Sequence, residues 1–149
     1  TCPGPQDDAF IVGGQALLAQ SFTAGQSGAL VRVDLTLDHG AASAGDFFLR
    51  LAPLVDAFPG AGGLASTQVS ASAVPNGVSA VPFTFVSPAQ VQAGASYALV
   101  LSRDGQDSYT WTSRLGEACG GRGFIANNSG EPFKSLNQTD FIFTTFVEA

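Results

Sequence analysis

Apolar and polar residues alternate with a period of two along most of this chain, while the i, i+3, i+4 spacing of an amphipathic helix is hardly seen. The clearest stretch is Leu30 to Asp38, where Val31, Val33, Leu35 and Leu37 alternate with Arg32, Asp34, Thr36 and Asp38. That pattern predicts a half-buried strand with one wet face. Shorter runs of the same kind cover Ala16–Thr23, Asp46–Ala52, Leu64–Ala71, Val81–Val86, Tyr97–Arg103, Asp107–Thr112, Gly123–Ala126 and Asp140–Val147. Turn chemistry separates them, as in Ala24-Gly25-Gln26-Ser27-Gly28, Pro75-Asn76-Gly77 and Asp104-Gly105. Eight or nine strands so spaced predict an all-β fold, a two-layer antiparallel β-sandwich of jelly-roll type. Loops are expected at Gly40–Gly45 and Phe58–Gly63, and a single helical turn at Ser87–Val91. No repeat or linker divides the chain, so residues 1–149 form one domain, with 1–14 an N-terminal arm or the first strand.

Composition narrows the setting. The chain has 149 residues, of which 45% are hydrophobic, enough for a single core. Only 12% are charged, about half the usual share of roughly 25%, and the net charge is -6. This excludes charge-driven disorder and a basic surface for nucleic acid. No apolar run reaches the roughly 18 residues of a membrane-spanning helix. The sequence contains no methionine and opens Thr1-Cys2-Pro3-Gly4-Pro5, which predicts an extracellular or cell-surface protein after removal of a signal peptide. In that setting Cys2 and Cys119 are expected to form a disulfide; two reduced thiols or an intersubunit bridge from Cys2 are the alternatives.

Few reagents for catalysis are present. His39 is the single histidine, at a strand end, so a histidine metal cage is excluded and a Ser-His-Asp triad would have to use it. There is no Gly-x-Ser-x-Gly elbow and no phosphate-binding glycine loop. The expectation is a non-enzyme without a cofactor. A structural calcium ion is the one cation the acidic residues suggest, with Asp7 and Asp8, Asp38 and Asp46, or Asp104 and Asp107 as weak candidate ligands. Tyr109 and Trp111 share one face of their strand, either outward as a sugar platform or inward as core. In the last strand Phe141 and Phe143 point one way while Ile142 and Phe146 point the other. A strand apolar on both faces has to be central or covered by another chain. Phe10, Ile11 and Val12 could likewise pair within the domain or with a neighbouring copy.

The segments Gln20-Ser21-Phe22-Thr23-Ala24-Gly25, Leu30 to Leu37, Ala93-Gly94-Ala95-Ser96-Tyr97-Ala98-Leu99-Val100-Leu101 and Asp140 to Phe146 together resemble secreted bacterial β-sandwich domains. Those domains open with a QSFTAG strand and carry an AGxxYALVL strand late in the chain. The resemblance implies an extracellular jelly-roll module, often attached to surface proteins or glycan-active enzymes, and brings no catalytic residue. Two functions are therefore expected to compete. One is a self-assembling structural protein of the cell surface, a filament or surface-layer subunit whose partners are its own copies, using Phe10, Ile11, Val12, Phe141, Ile142 and Phe146. The other is a carbohydrate-binding or adhesive module that holds polysaccharide at Tyr109 and Trp111.

Overall fold

A computed structural model describes residues 2–3, 8–12, 16–39, 45–104, 109–115, 121–127, 131–136 and 138–149. Thirteen strands appear among the described residues: β1 (Asp8–Val12), β2 (Leu17–Thr23), β3 (Gly28–His39), β4 (Asp46–Val55), β5 (Phe58–Pro59), β6 (Ala65–Ser70), β7 (Gly77–Val91), β8 (Ser96–Arg103), β9 (Tyr109–Leu115), β10 (Gly123–Ala126), β11 (Lys134–Leu136), β12 (Thr139–Phe141) and β13 (Phe143–Glu148). They form a six-stranded and a seven-stranded antiparallel sheet packed face to face. The chain changes sheet at eight of its twelve connections. Its pairings are nested, β1 with β9, β2 with β8, β3 with β7 and β4 with β6, which is the wrapping of a jelly roll.

All nine alternating runs coincide with strands. The count is higher because β1, β5 and β11 add short strands and the last run divides at Ile142. The helical turn expected at Ser87–Val91 is instead part of β7. Its register with β3 steps from Leu30↔Ala89 to Arg32↔Thr84, so residues 85–88 bulge away from the ladder. Pro88 lies in that bulge, where its missing N–H costs no ladder bond. The one helical turn among the described residues is a 3-10 turn at Ala71–Ala73. Residues 40–44 of the expected Gly40–Gly45 loop lie outside the described residues.

The same irregularity changes the inner face of β3. Both neighbours skip Val31, since Leu30 and Arg32 pair with Val147 and Phe146 on β13 as they do with Ala89 and Thr84 on β7. An extra residue in a strand shifts the alternation by one. The buried file is accordingly Leu30, Val33, Leu35 and Leu37, with Val31 displaced from the inward set that the alternation predicts.

The last segment is not a straight strand. β9 pairs with β3 only over Leu37–His39, beyond which the two strands splay apart. The chain enters the gap alongside β9 as β12 and leaves it alongside β3 as β13. Ile142 sits at the apex, its N–H donating to Thr112 O (3.0 Å) and its carbonyl accepting from Thr36 N (3.2 Å) and from Trp111 Nε1 (3.0 Å). Because the chain bends there, Phe141, Ile142 and Phe143 are all buried in succession, which no straight strand with one wet face permits. The part of the run from Phe141 to Phe143 is thus covered by its own chain, and Cys2 closes over it through a pair of backbone hydrogen bonds with Phe143 (2.8 and 3.1 Å). Beneath it Trp111, fully buried, stacks on Phe141 with ring centroids 4.4 Å apart.

Candidate functional site: a groove on the outer face of the seven-stranded sheet

The outward-facing positions of β4, β6 and β8 fall into two rows by register: Gln68, Phe48 and Ser102, then Ser66, Arg50 and Val100. The next positions are small. Ala52 lies opposite Ala98, and Ala19 lies between Val100 and Phe124. These alanines lower the floor of the sheet face and, with Val100 and Phe124, form a second apolar cluster separate from the main core. A flap folds over that floor. Phe58 packs on Phe124 at 5.4 Å between ring centroids, and Phe133 approaches Phe124 edge-on at 6.5 Å.

The flap forms because β4 turns back tightly into β5. Asp56 (φ 51°) and Ala57 (φ 68°) occupy the two centre positions of the turn with left-handed backbone. That is the conformation hairpin turns adopt most readily with Asn-Gly, and it costs a residue with a Cβ about 1–2 kcal/mol. Backbone bonds then hold the flap to β4, from Gly60 N to Pro53 O (2.8 Å) and from Leu64 N to Leu51 O (2.7 Å).

What the flap positions is Arg50. Its Nη1 donates to Gly60 O (3.0 Å) and Gly62 O (2.6 Å), so two backbone carbonyls fix the guanidinium plane. Nε and Nη2 make no hydrogen bond within the described protein and are not sealed from solvent. No carboxylate among the described residues pairs with Arg50. Burial without a counter-charge lowers its pKa from the ordinary arginine value. Two cavities meet at Arg50 and Leu17: one of about 410 Å³ towards Phe48, Gln68 and Ser102, and one of about 430 Å³ towards Phe58, Glu131 and Phe133. Together they make one elongated groove, open to solvent, with exposed phenyl rings (Phe48 38%, Phe58 42%), hydroxyls, an amide and one anchored cation. It can hydrogen-bond a polar ligand, stack against it, and neutralise one negative charge.

The residues expected to carry function are placed elsewhere. Trp111 is entirely inside the core, so it forms no sugar platform; the side chain of Tyr109 lies outside the described residues, as does that of His39. Of the assembly residues, Phe141 and Ile142 are buried within the chain and Phe10 packs edge-on against Phe141 at 5.5 Å. Ile11 and Val12 are described only as backbone of β1, paired with β9. Phe146 remains at the surface, 36% exposed, with the Arg32 guanidinium 4.0 Å above its ring and Asp34 holding Arg32 in a two-pronged ion pair (2.8 and 3.0 Å). Asp46 and Asp104 meet at the ends of β4 and β8, where Asp104 Oδ1 accepts from Asp46 N (2.5 Å) and Asp46 Oδ2 from Gln68 Nε2 (2.5 Å). Asp38 lies apart from them on β3, between β7 and β9. Asp7 and Asp107 are outside the described residues, and Asp8 is described only as backbone of β1. Among the described residues no group of three or more His, Cys, Asp or Glu could hold a metal. Cys2 is fully buried, while Cys119 lies outside the described residues. No described helix is long and apolar enough to cross a membrane.

No protein family, curated protein or solved structure matches this chain.

Proposed function

We propose that this protein is a non-catalytic carbohydrate-binding module of the cell exterior, with its ligand in the groove at Arg50 rather than at Tyr109 and Trp111. The observation that carries the reading is the guanidinium fixed by Gly60 and Gly62 with Nε and Nη2 left to the groove. A donor pair held in place before binding loses little freedom on binding, which favours hydrogen-bonded recognition of a hydroxyl-rich ligand. Exposed Phe48 and Phe58 supply faces for sugar rings, and the two cavities that share Leu17 and Arg50 give room for more than one sugar. An extracellular setting and a Cys2–Cys119 disulfide belong to the same proposal. Affinity electrophoresis against a broad polysaccharide panel is expected to show retardation that Arg50→Gln reduces about tenfold, the share of a charge-assisted hydrogen bond. Absence of retardation by every polysaccharide would sink the reading.

Self-assembly of a surface-layer or filament subunit is the second reading, favoured by Phe146 and by Val86, which is 94% exposed in the β7 bulge. Strand pairing contributes little to it. Phe143 turns both its backbone groups away from β3 towards Cys2, so by alternation Thr145 and Val147 face outward along β13, and the Val147 carbonyl already accepts from Gln26 Nε2 (3.1 Å). Assembly would rest on side-chain burial at Phe146. Sedimentation velocity is expected to show large particles that Phe146→Asp disperses if this reading holds, and a monomer at all concentrations if it does not.

A further inference from the structure

Within the carbohydrate-binding reading, on which this step rests, we propose that the ligand is a largely neutral polysaccharide carrying isolated carboxylate groups, with one uronate seated on Arg50. Nη1 is engaged by Gly60 O and Gly62 O, which leaves Nε and Nη2, the two donors that form one edge of the guanidinium fork. That edge matches the two oxygens of a carboxylate in a parallel pair of bonds. Neutral hydroxyls accept from the same donors but do not complement the charge.

Arg50 is half-buried against its own flap, and no described carboxylate neutralises it. By contrast, Arg32 on the opposite sheet is paired with Asp34. A cation that is desolvated and left without a counter-ion gains more from an incoming anion than one already paired. The flap spends two left-handed residues, Asp56 and Ala57, to hold it there.

Arg50 is the single guanidinium among the described residues lining the two cavities, and Glu131 lines one of them. The whole chain carries a net charge of -6. A dense polyanion would place further carboxylates within one Debye length, about 8 Å at physiological salt, of a guanidinium that is the one cation lining the groove among the described residues. The rest of the wall, Ser66, Gln68 and Ser102, is neutral and hydrogen-bonding, which suits the uncharged sugars on either side of a single acidic one.

The test titrates the full chain by isothermal calorimetry with three probes at about 0.15 M salt. They are glucuronoxylan, the same xylan after chemical reduction of its uronates to neutral sugars, and polygalacturonate. The expected result is binding to glucuronoxylan, about tenfold weaker binding to the reduced xylan, and polygalacturonate bound less well than glucuronoxylan. Arg50→Gln should bind the native and reduced xylans alike, at the level of the wild type with the reduced one, while Arg50→Lys recovers part of the difference. Equal wild-type affinity for native and reduced xylan overturns the uronate assignment and leaves the carbohydrate reading standing. Tighter binding of polygalacturonate overturns the isolated-carboxylate argument. Should Arg50→Gln fail to fold, the comparison of the two xylans with the wild type still decides. Failure to bind these three, together with the broad panel, removes both proposals at once.

Discussion

Trp111→Ala is expected to lower folding stability by about 3–5 kcal/mol, the range for deleting a large buried aromatic. Three losses coincide at this position. The ring is fully buried, it stacks on Phe141 at 4.4 Å with an interplanar angle of 21°, and its Nε1 donates to the carbonyl of Ile142 at 3.0 Å. Removing it leaves a cavity beneath the bend at Ile142 and takes one of the donors from that carbonyl. At roughly 2–4 °C per kcal/mol for a domain of this size, the midpoint of thermal unfolding should fall by about 10 °C or more. Far-UV circular dichroism measures this without relying on the single tryptophan. An unchanged midpoint would mean that the ring is not in the core. Trp111→Phe separates packing from hydrogen bonding: it keeps most of the stack and should cost less than half as much. The consequence for function is that loss of sugar binding in Trp111→Ala would report unfolding, so Arg50 is the position to substitute.

Gly121→Ala should cost about 3 kcal/mol or more, in the upper range of overpacking changes. A Cβ at this residue would stand 1.9 Å from the Ser21 carbonyl oxygen and 2.8 Å from its carbon. Both obstacles are backbone, so the strand has to move. The neighbouring Arg122 is tied to β2 by Ser21 N to Arg122 O and by Arg122 N to Ser21 Oγ, each 2.9 Å. Pushing the two apart disturbs Gln20, whose fully buried amide donates to Asp140 Oδ1 (3.0 Å) and accepts from Phe141 N (2.8 Å). That pair links the seven-stranded sheet to the fork in the other. Urea unfolding measures the effect, with Gly25→Ala as the control, since a Cβ there meets nothing within 4 Å. Equal midpoints for the two variants would contradict the close approach of residue 121 to β2.

Much of the fold was legible because alternation is a local signal, kept most plainly in β6 and β7, where one face stays wet, and less so in β2, β8 and β10, which bury residues on both faces. The inward file of β3 illustrates both its power and its limit: Val33, Leu35 and Leu37 are buried as the pattern requires, whereas Val31 is displaced by a bulge. The bulge depends on how β3 pairs with β7 and β13, which lie far away in sequence. The terminal run shows the same limit. Its apolar residues on both sides were visible, but a bend at Ile142 depends on β3 and β9 splaying apart. Trp111 remained open between two faces because a strand residue's direction is set by the sheet it joins. Arg50 could not be singled out, since an arginine between Leu49 and Leu51 reads as an ordinary outward side chain. Its importance comes from Gly60 and Gly62, in a stretch that reads as a loop, folded back by a turn lacking the Asn-Gly signature. The nearest signal was the density of glycines ten to thirteen residues after an isolated cation.

The fork between β3 and β9 also constrains how the protein is made. Synthesis delivers a chain from its N-terminal side, yet the six-stranded sheet lacks its centre until residues 139–143 arrive to fill the gap. The nested pairings deepen the delay, because β1 must wait for β9, the strand it pairs with. Long-range pairing of this kind folds slowly, on the millisecond to second scale. A nascent chain emerging in order would therefore close the six-stranded sheet only once residues 139–148 are free, after every strand of the seven-stranded sheet has already been made.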